Sequence, residues 1–168
     1  MAEVTTEFDP GKWVLVPTLH TLERMRTREL SPSADVPEVV DRLRRLAREA
    51  VIVERGEDTV LAIGPDRTLV LAPMRVYDLE TYRPELERAL SRFDPSYSVY
   101  VVTSGGCFVT SAGNVDVETL CERYDRGRFS GDARTLVLCR EGEEAFAVVT
   151  VRPPKRRERR LAREAARR

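Results

Sequence analysis

The sequence predicts an α+β fold: a single domain with a mostly antiparallel sheet covered by helices, plus a basic C-terminal tail that is helical or disordered. Three observations predict it. Short apolar strands follow one another across gaps such as Gly56-Glu57-Asp58 and Gly64-Pro65-Asp66-Arg67, which are too short for a parallel crossover. Stripes at helical spacing interrupt these strand clusters, the pattern of helices laid on an antiparallel sheet. The charge also divides at Pro153. Residues 153–168 hold eight of the 28 basic side chains and two of the 28 acids, a net +6, and the neutral total leaves −6 on residues 1–152. The expected organisation is a globular domain over 1–152 and a basic tail over 153–168.

Trp13 to Pro17 reads as a short strand, and Leu19, Leu22, Met25 and Leu30 suggest a helix that ends before Ser31-Pro32-Ser33. Asp35 stands three residues ahead of Glu38, a capping-box spacing, with Pro37 in the first turn. Val36, Val39, Val40, Leu43, Leu46, Ala47 and Ala50 then recur on one helical face, leaving Arg42, Arg44, Arg45 and Arg48 on the others. Val51 to Arg55, Thr59 to Ile63 and Thr68 to Ala72 read as three hairpin-linked strands. Thr81 to Phe93 is a second helix, with Pro84 in its first turn and Leu86, Leu90 and Phe93 on one face. Tyr97 to Ser104 and Cys107 to Ser111 form a hairpin closed by Gly105-Gly106, where a missing Cβ permits positive φ. A short helix follows Asp116 and runs from Val117 to Tyr124. After the loop Gly127 to Asp132, Thr135 to Arg140 and Ala145 to Arg152 read as a last hairpin around Glu141-Gly142-Glu143-Glu144. Pro153-Pro154 closes the globule, because proline has no N–H and restricts its neighbour.

The order helix, three strands, helix, two strands resembles in topology the small secretion-chaperone domains that bind partners as dimers, although no residue motif carries the likeness.

Composition narrows the chemistry. Cys107, Cys121 and Cys139 are odd in number and widely spaced, which argues against a disulfide framework and for a reducing compartment, the cytoplasm. Met1 to Pro10 is acidic and polar where an export signal would be basic and then apolar, and no apolar run approaches a membrane span. Lysine occurs only at Lys12 and Lys155, and no phosphate-binding Gly-rich loop with its Gly-Lys pair is present. His20 is the sole histidine, which excludes histidine-paired metal sites. Enzymatic arrangements reduce to a Cys107 nucleophile with His20 as base, or a metal shared by Asp66, Asp78 and Glu80; Asp116 and Glu118 are read as helix-start acids. Tyr97, Val99, Val101, Thr103 and Phe108 share a sheet face that could stack on bases if exposed, and is ordinary core if covered.

The tail offers cations in strong helix formers, with Glu164 spaced i,i+4 from Arg168. The expectation is therefore a cytoplasmic, non-catalytic binding or accessory protein without catalytic residues, cofactor or metal. Its Lys155, Arg156, Arg157, Arg159, Arg160, Arg163, Arg167 and Arg168 act as counter-charges to nucleic acid or a nucleoprotein assembly. The competing expectations are a tail solvated or docked on its own domain, an acidic protein partner or an anionic membrane surface contacted by the tail, a protein-partner adaptor or chaperone-like homodimer with no nucleic-acid role, and an enzyme using an unplaced carboxylate or cysteine site.

Overall fold

Eleven strands and five α-helices among the described residues divide into two sheets, each with its own helices. The computed structural model describes residues 3–5, 8–130 and 134–167. In chain order the elements are β1 (Glu3–Thr5), β2 (Trp13–Pro17), α1 (Leu19–Arg24) running into a π-helical turn (Met25–Glu29), α2 (Val36–Arg48), β3 (Val51–Glu54), β4 (Val60–Ile63), β5 (Thr68–Pro73) and β6 (Tyr77–Asp78). They continue with α3 (Leu79–Ser91), β7 (Ser98–Thr103), β8 (Gly106–Ser111), α4 (Val117–Arg123), β9 (Arg128–Ser130), β10 (Thr135–Cys139), β11 (Glu144–Arg152) and α5 (Arg156–Ala166).

The α+β class is as expected, but the strands do not form one sheet. The first sheet has the order β1-β3-β4-β5-β11-β2 and the second β6-β9-β10-β7-β8, each antiparallel except for the pairs β11–β2 and β10–β7. The expected last hairpin is thereby split, with β10 in the second sheet and β11 in the first. Burial explains the split. Leu136 and Leu138 of β10 face α3 and α4, while Val137 and Cys139 face α2 and β2, so the strand needs apolar cover on both sides. The connection is pinned elsewhere: the buried Glu143 carboxylate accepts from the Arg140 N–H at 3.0 Å and from the Ser104 hydroxyl at 2.9 Å. The likeness to a chaperone sheet fails at the same point, because its three strands and its two strands lie in different sheets.

Three apolar clusters hold this frame. Leu15, Met25, Val39, Leu43, Ile52, Leu71 and Val148 fill the space between the first sheet and the α1–α2 layer. Leu79, Leu86, Val101, Val117 and Leu136 fill the space between the second sheet and α3–α4. Val16, Val40, Val102 and Val137 join the two halves. Full burial of so many valine and leucine side chains, each worth about 1.5–3 kcal/mol, is the main stabilising term.

Local signals set the element ends. Asp35 caps α2, its Oδ1 accepting the Glu38 N–H at 2.9 Å. Asp78 accepts the Glu80 N–H at 3.1 Å, which starts α3 two residues before the expected Thr81 and moves Pro84 beyond the first turn, where the bond to the Glu80 carbonyl is forgone. Thr18 caps α1 and turns Thr21 inward onto the Val148 carbonyl, so Leu19, expected on the buried stripe, is 85% exposed. Gly106 has φ of 131°, as the β7–β8 hairpin requires. The expected loop from Gly127 contains β9, which pairs with β10 and β6.

Candidate polyanion-binding surface

The segment read as a tail is α5, a helix docked on the outer face of the first sheet. Its sequence carries two registers. Glu158, Leu161, Ala162 and Ala165 recur at i, i+3, i+4 and i+7, the spacing of one helical face. Leu161 and Ala162 of that face pack on Val53, Leu61 and Ile63 of β3 and β4. Pro153-Pro154 makes the corner that turns the chain from β11 onto this face, and Pro154 is itself buried.

Glu158 fastens the helix. It is 3% exposed and receives a two-pronged contact from Arg152, Nη1 to Oε1 and Nη2 to Oε2, both at 2.7 Å. The Lys155 backbone N–H donates to Oε1 at 2.9 Å, and the buried Thr68 hydroxyl donates to it at 3.1 Å. Burial pushes this carboxyl up. The Arg152 hydrogen bonds and charge, the Lys155 N–H and the Thr68 hydroxyl outweigh burial and hold it at about 2. Arg152 is raised in turn by the same hydrogen bond.

The opposite register is arginine. Arg156, Arg160, Arg163 and Arg167 recur at i, i+4, i+7 and i+11, so they lie within about 60° of arc and span about 16 Å of helix axis. Arg157 and Arg159 flank the row, and all six are exposed. Among the described residues none of the six has a carboxylate within ion-pair distance, since the one salt bridge that reaches the helix is Arg152–Glu158. Lys155 is exposed at the N-cap, and Arg168, with its expected i,i+4 pairing to Glu164, lies outside the described residues. The helix therefore docks on its own domain by apolar contact and one carboxylate, and its cations are left over.

The enzymatic arrangements do not assemble. The His20 ring nitrogen Nε2 lies 3.3 Å from the Thr150 hydroxyl, whereas Cys107 contacts the Phe108 carbonyl at 3.9 Å. Burial, and secondarily the Asp35 charge, pushes the Cys107 thiol up to about 11, away from a reactive thiolate. Asp78 caps α3 and lines a cleft with Glu80, Asp125 and Glu141, but Asp66 lies on the β4–β5 turn and lines a different cleft. Asp116 caps α4, and Glu118 pairs with Arg83 at 3.3 Å. No group of three or more histidine, cysteine or acidic side chains able to hold a metal exists among the described residues. No helix among them is long and apolar enough to cross a membrane.

The expected aromatic face is mostly core. Val99 and Val101 are buried against α3 and α4, with Tyr97 about half exposed just ahead of β7 and Phe108 about half exposed on the edge strand β8 opposite Val101. Arg134 stands over Phe93 and Tyr97, at 5.7 and 5.6 Å from the ring centroids.

Sequence reasoning found the cations of α5 and missed Glu158. The signal was present: an acid inside a cationic run, in phase with the only apolar residues there. No family model and no curated protein matches the chain, so the functional reading rests on the geometry of α5.

Proposed function

We propose that the protein is a non-catalytic accessory protein whose docked helix α5 contacts nucleic acid or a nucleoprotein assembly through its arginine face. The observation that carries the reading is the row Arg156, Arg160, Arg163 and Arg167, held on a folded surface with no carboxylate within ion-pair distance among the described residues. A row fixed in place forms phosphate contacts without the ordering cost of a disordered arm. Such contacts release counterions, so binding is weakly selective for sequence and steep in salt. Four phosphate contacts to duplex DNA give a log–log slope of about −3.6, a loss of about 150-fold between roughly 50 and 200 mM salt.

The test is fluorescence anisotropy of labelled DNA and RNA across that range, with the full chain and with Arg156, Arg160, Arg163 and Arg167 all changed to Gln. Binding that is steep in salt and lost in the variant supports the reading. Equal binding by both proteins, or none by either, overturns it.

A second reading, a protein-partner adaptor, is favoured by β8. This strand is an outer edge of its sheet and carries Phe108 and Val109, both about half exposed, and open edges of this kind accept a further strand. Light scattering that shows a dimer, dissociated by Phe108→Lys, would favour it.

A further inference from the structure

We propose that one side of the arginine face of α5, with Arg156, Arg159 and Arg163, is one bank of a longer trough, which crosses the β4–β5 turn onto α2 and takes a single strand of nucleic acid. The proposal rests on the reading of α5 above and extends it. Two concavities adjoin. One, of about 590 Å³, lies between α5 and the turn, with Arg156, Arg159 and Arg163 at its rim and Val51, Ile63 and Ala162 beneath. The other, of about 630 Å³, lies between the turn and α2 and is edged by Arg42, Arg45 and Arg48. Glu49, Gly64 and Pro65 line both, so the two concavities meet at this edge, and the proposed channel runs across it. The saddle between them is tight: the Gly64 N–H donates to the Arg67 carbonyl at 2.8 Å, and a Cβ on Gly64 would stand 3.0 Å from that oxygen.

The charge of the channel is positive. Glu29 is taken up by Arg67, leaving Glu49 and Asp66 against the six rim arginines. Arg45 pairs with Asp41 at 3.2 Å, but both side chains are more than half exposed, and such surface pairs exchange readily for a better anion. Arg42 and Arg48 have no carboxylate within ion-pair distance among the described residues.

The shape selects among anions. A duplex is stiff over far longer distances than this channel and rests on the α5 ridge, whereas a single strand bends over the saddle. Cations on opposite walls track one phosphate backbone, and guanidinium planes and the apolar floor receive base faces. An acidic amphipathic helix fits less well. The apolar floor stops at Pro65 and the α2 half is lined mainly by charged side chains, so spaced positive charge is what the two halves share.

The test compares labelled thymidylate of about 12 nucleotides, within the range that one small domain covers, with a duplex of equal length. The proteins are the wild type and the triple variant Arg42→Gln, Arg45→Gln, Arg48→Gln. Glutamine retains helix propensity, and circular dichroism checks that the variant is folded. The expected result is a strand affinity at least about tenfold weaker, with a salt slope shallower by about 2, and an unchanged duplex affinity. If the triple variant binds the strand as the wild type does, while the α5 variant does not, the trough is refuted and the α5 reading stands. Equal losses for strand and duplex refute the selection of single strands. Displacement of the strand by poly-glutamate at equal charge concentration shows a general acidic-polymer site and also overturns it. If the wild type binds neither oligonucleotide, both readings fall together.

Discussion

Replacing Glu158 with Gln removes the charge that fastens α5 while keeping its size, and so tests whether this helix belongs to the fold. The carboxyl titrates at about 2 in the folded protein against an ordinary 4.5. At about 1.4 kcal/mol per unit, ionised Glu158 contributes about 3 kcal/mol to holding the helix in place. The substitution should therefore raise the population with α5 detached by about 100-fold. The sign of the pH dependence follows from the depressed value. The contribution is complete above about 4.5 and is lost as pH falls towards about 2. Amide hydrogen exchange of residues 157–166, corrected for intrinsic rates, reads both effects. Protection in the wild type should fall through that acid window, whereas in the variant it is low already and changes little. Only the fourth apolar cluster, Val53, Leu61 and Ile63 with Leu161 and Ala162, opens with the helix, so protection in β7 and β10 should not move. Unchanged α5 protection in the variant would refute the reasoning, because the Arg152 contact would then be incidental.

Other outcomes follow from the same packing. The quadruple change of Arg156, Arg160, Arg163 and Arg167 to Gln should abolish polyanion binding and move Tm by less than about 2 °C, since these side chains are exposed and, among the described residues, none has a carboxylate within ion-pair distance; calorimetry checks it. Leu43→Ala, at a fully buried position under the first sheet, should cost about 3 kcal/mol and lower Tm by about 10 °C, read by thermal melting. At pH 8 the Cys107 and Cys139 thiols, both pushed up to about 11 mainly by burial, should react with an alkylating reagent about 100-fold more slowly than an unperturbed thiol. Cys107→Ser should leave binding unchanged, and loss of binding would revive a role for the thiol.

The elements were legible where local pattern and tertiary need agree. The α2 stripe from Val36 to Ala47 and its Asp35 cap stand where spacing puts them, and the β7–β8 hairpin closes one residue earlier than expected, at Ser104-Gly105, with Gly106 already paired to Thr103. Sheet membership was not legible, because Leu136-Val137-Leu138-Cys139 says that a strand is buried on both faces without saying between which layers. The very short β6 and β9 were missed for a related reason. Two or three residues cannot show a period, and both strands exist by pairing with each other, β9 also with β10. At the candidate site the cations were legible from composition alone. Their arrangement into a row was hidden until Glu158, Leu161 and Ala162 were seen to fix which side of the helix faces the sheet.

That fixing has a physical consequence for a helix carrying a +6 segment beside a −6 domain. Had α5 been held by its arginines against acids of the domain, a polyanion would compete with the attachment itself, and binding would loosen the helix. Attachment instead uses apolar contact and a shielded ion pair, both weakly sensitive to salt, while the arginines face outward. Docking and binding are thereby separable. Raising salt from roughly 50 to 200 mM should strip a bound strand and leave the hydrogen-exchange protection of residues 157–166 unchanged. If protection of α5 falls along with binding, the helix is held by its surface charges after all, and the row of arginines is part of the scaffold rather than a site.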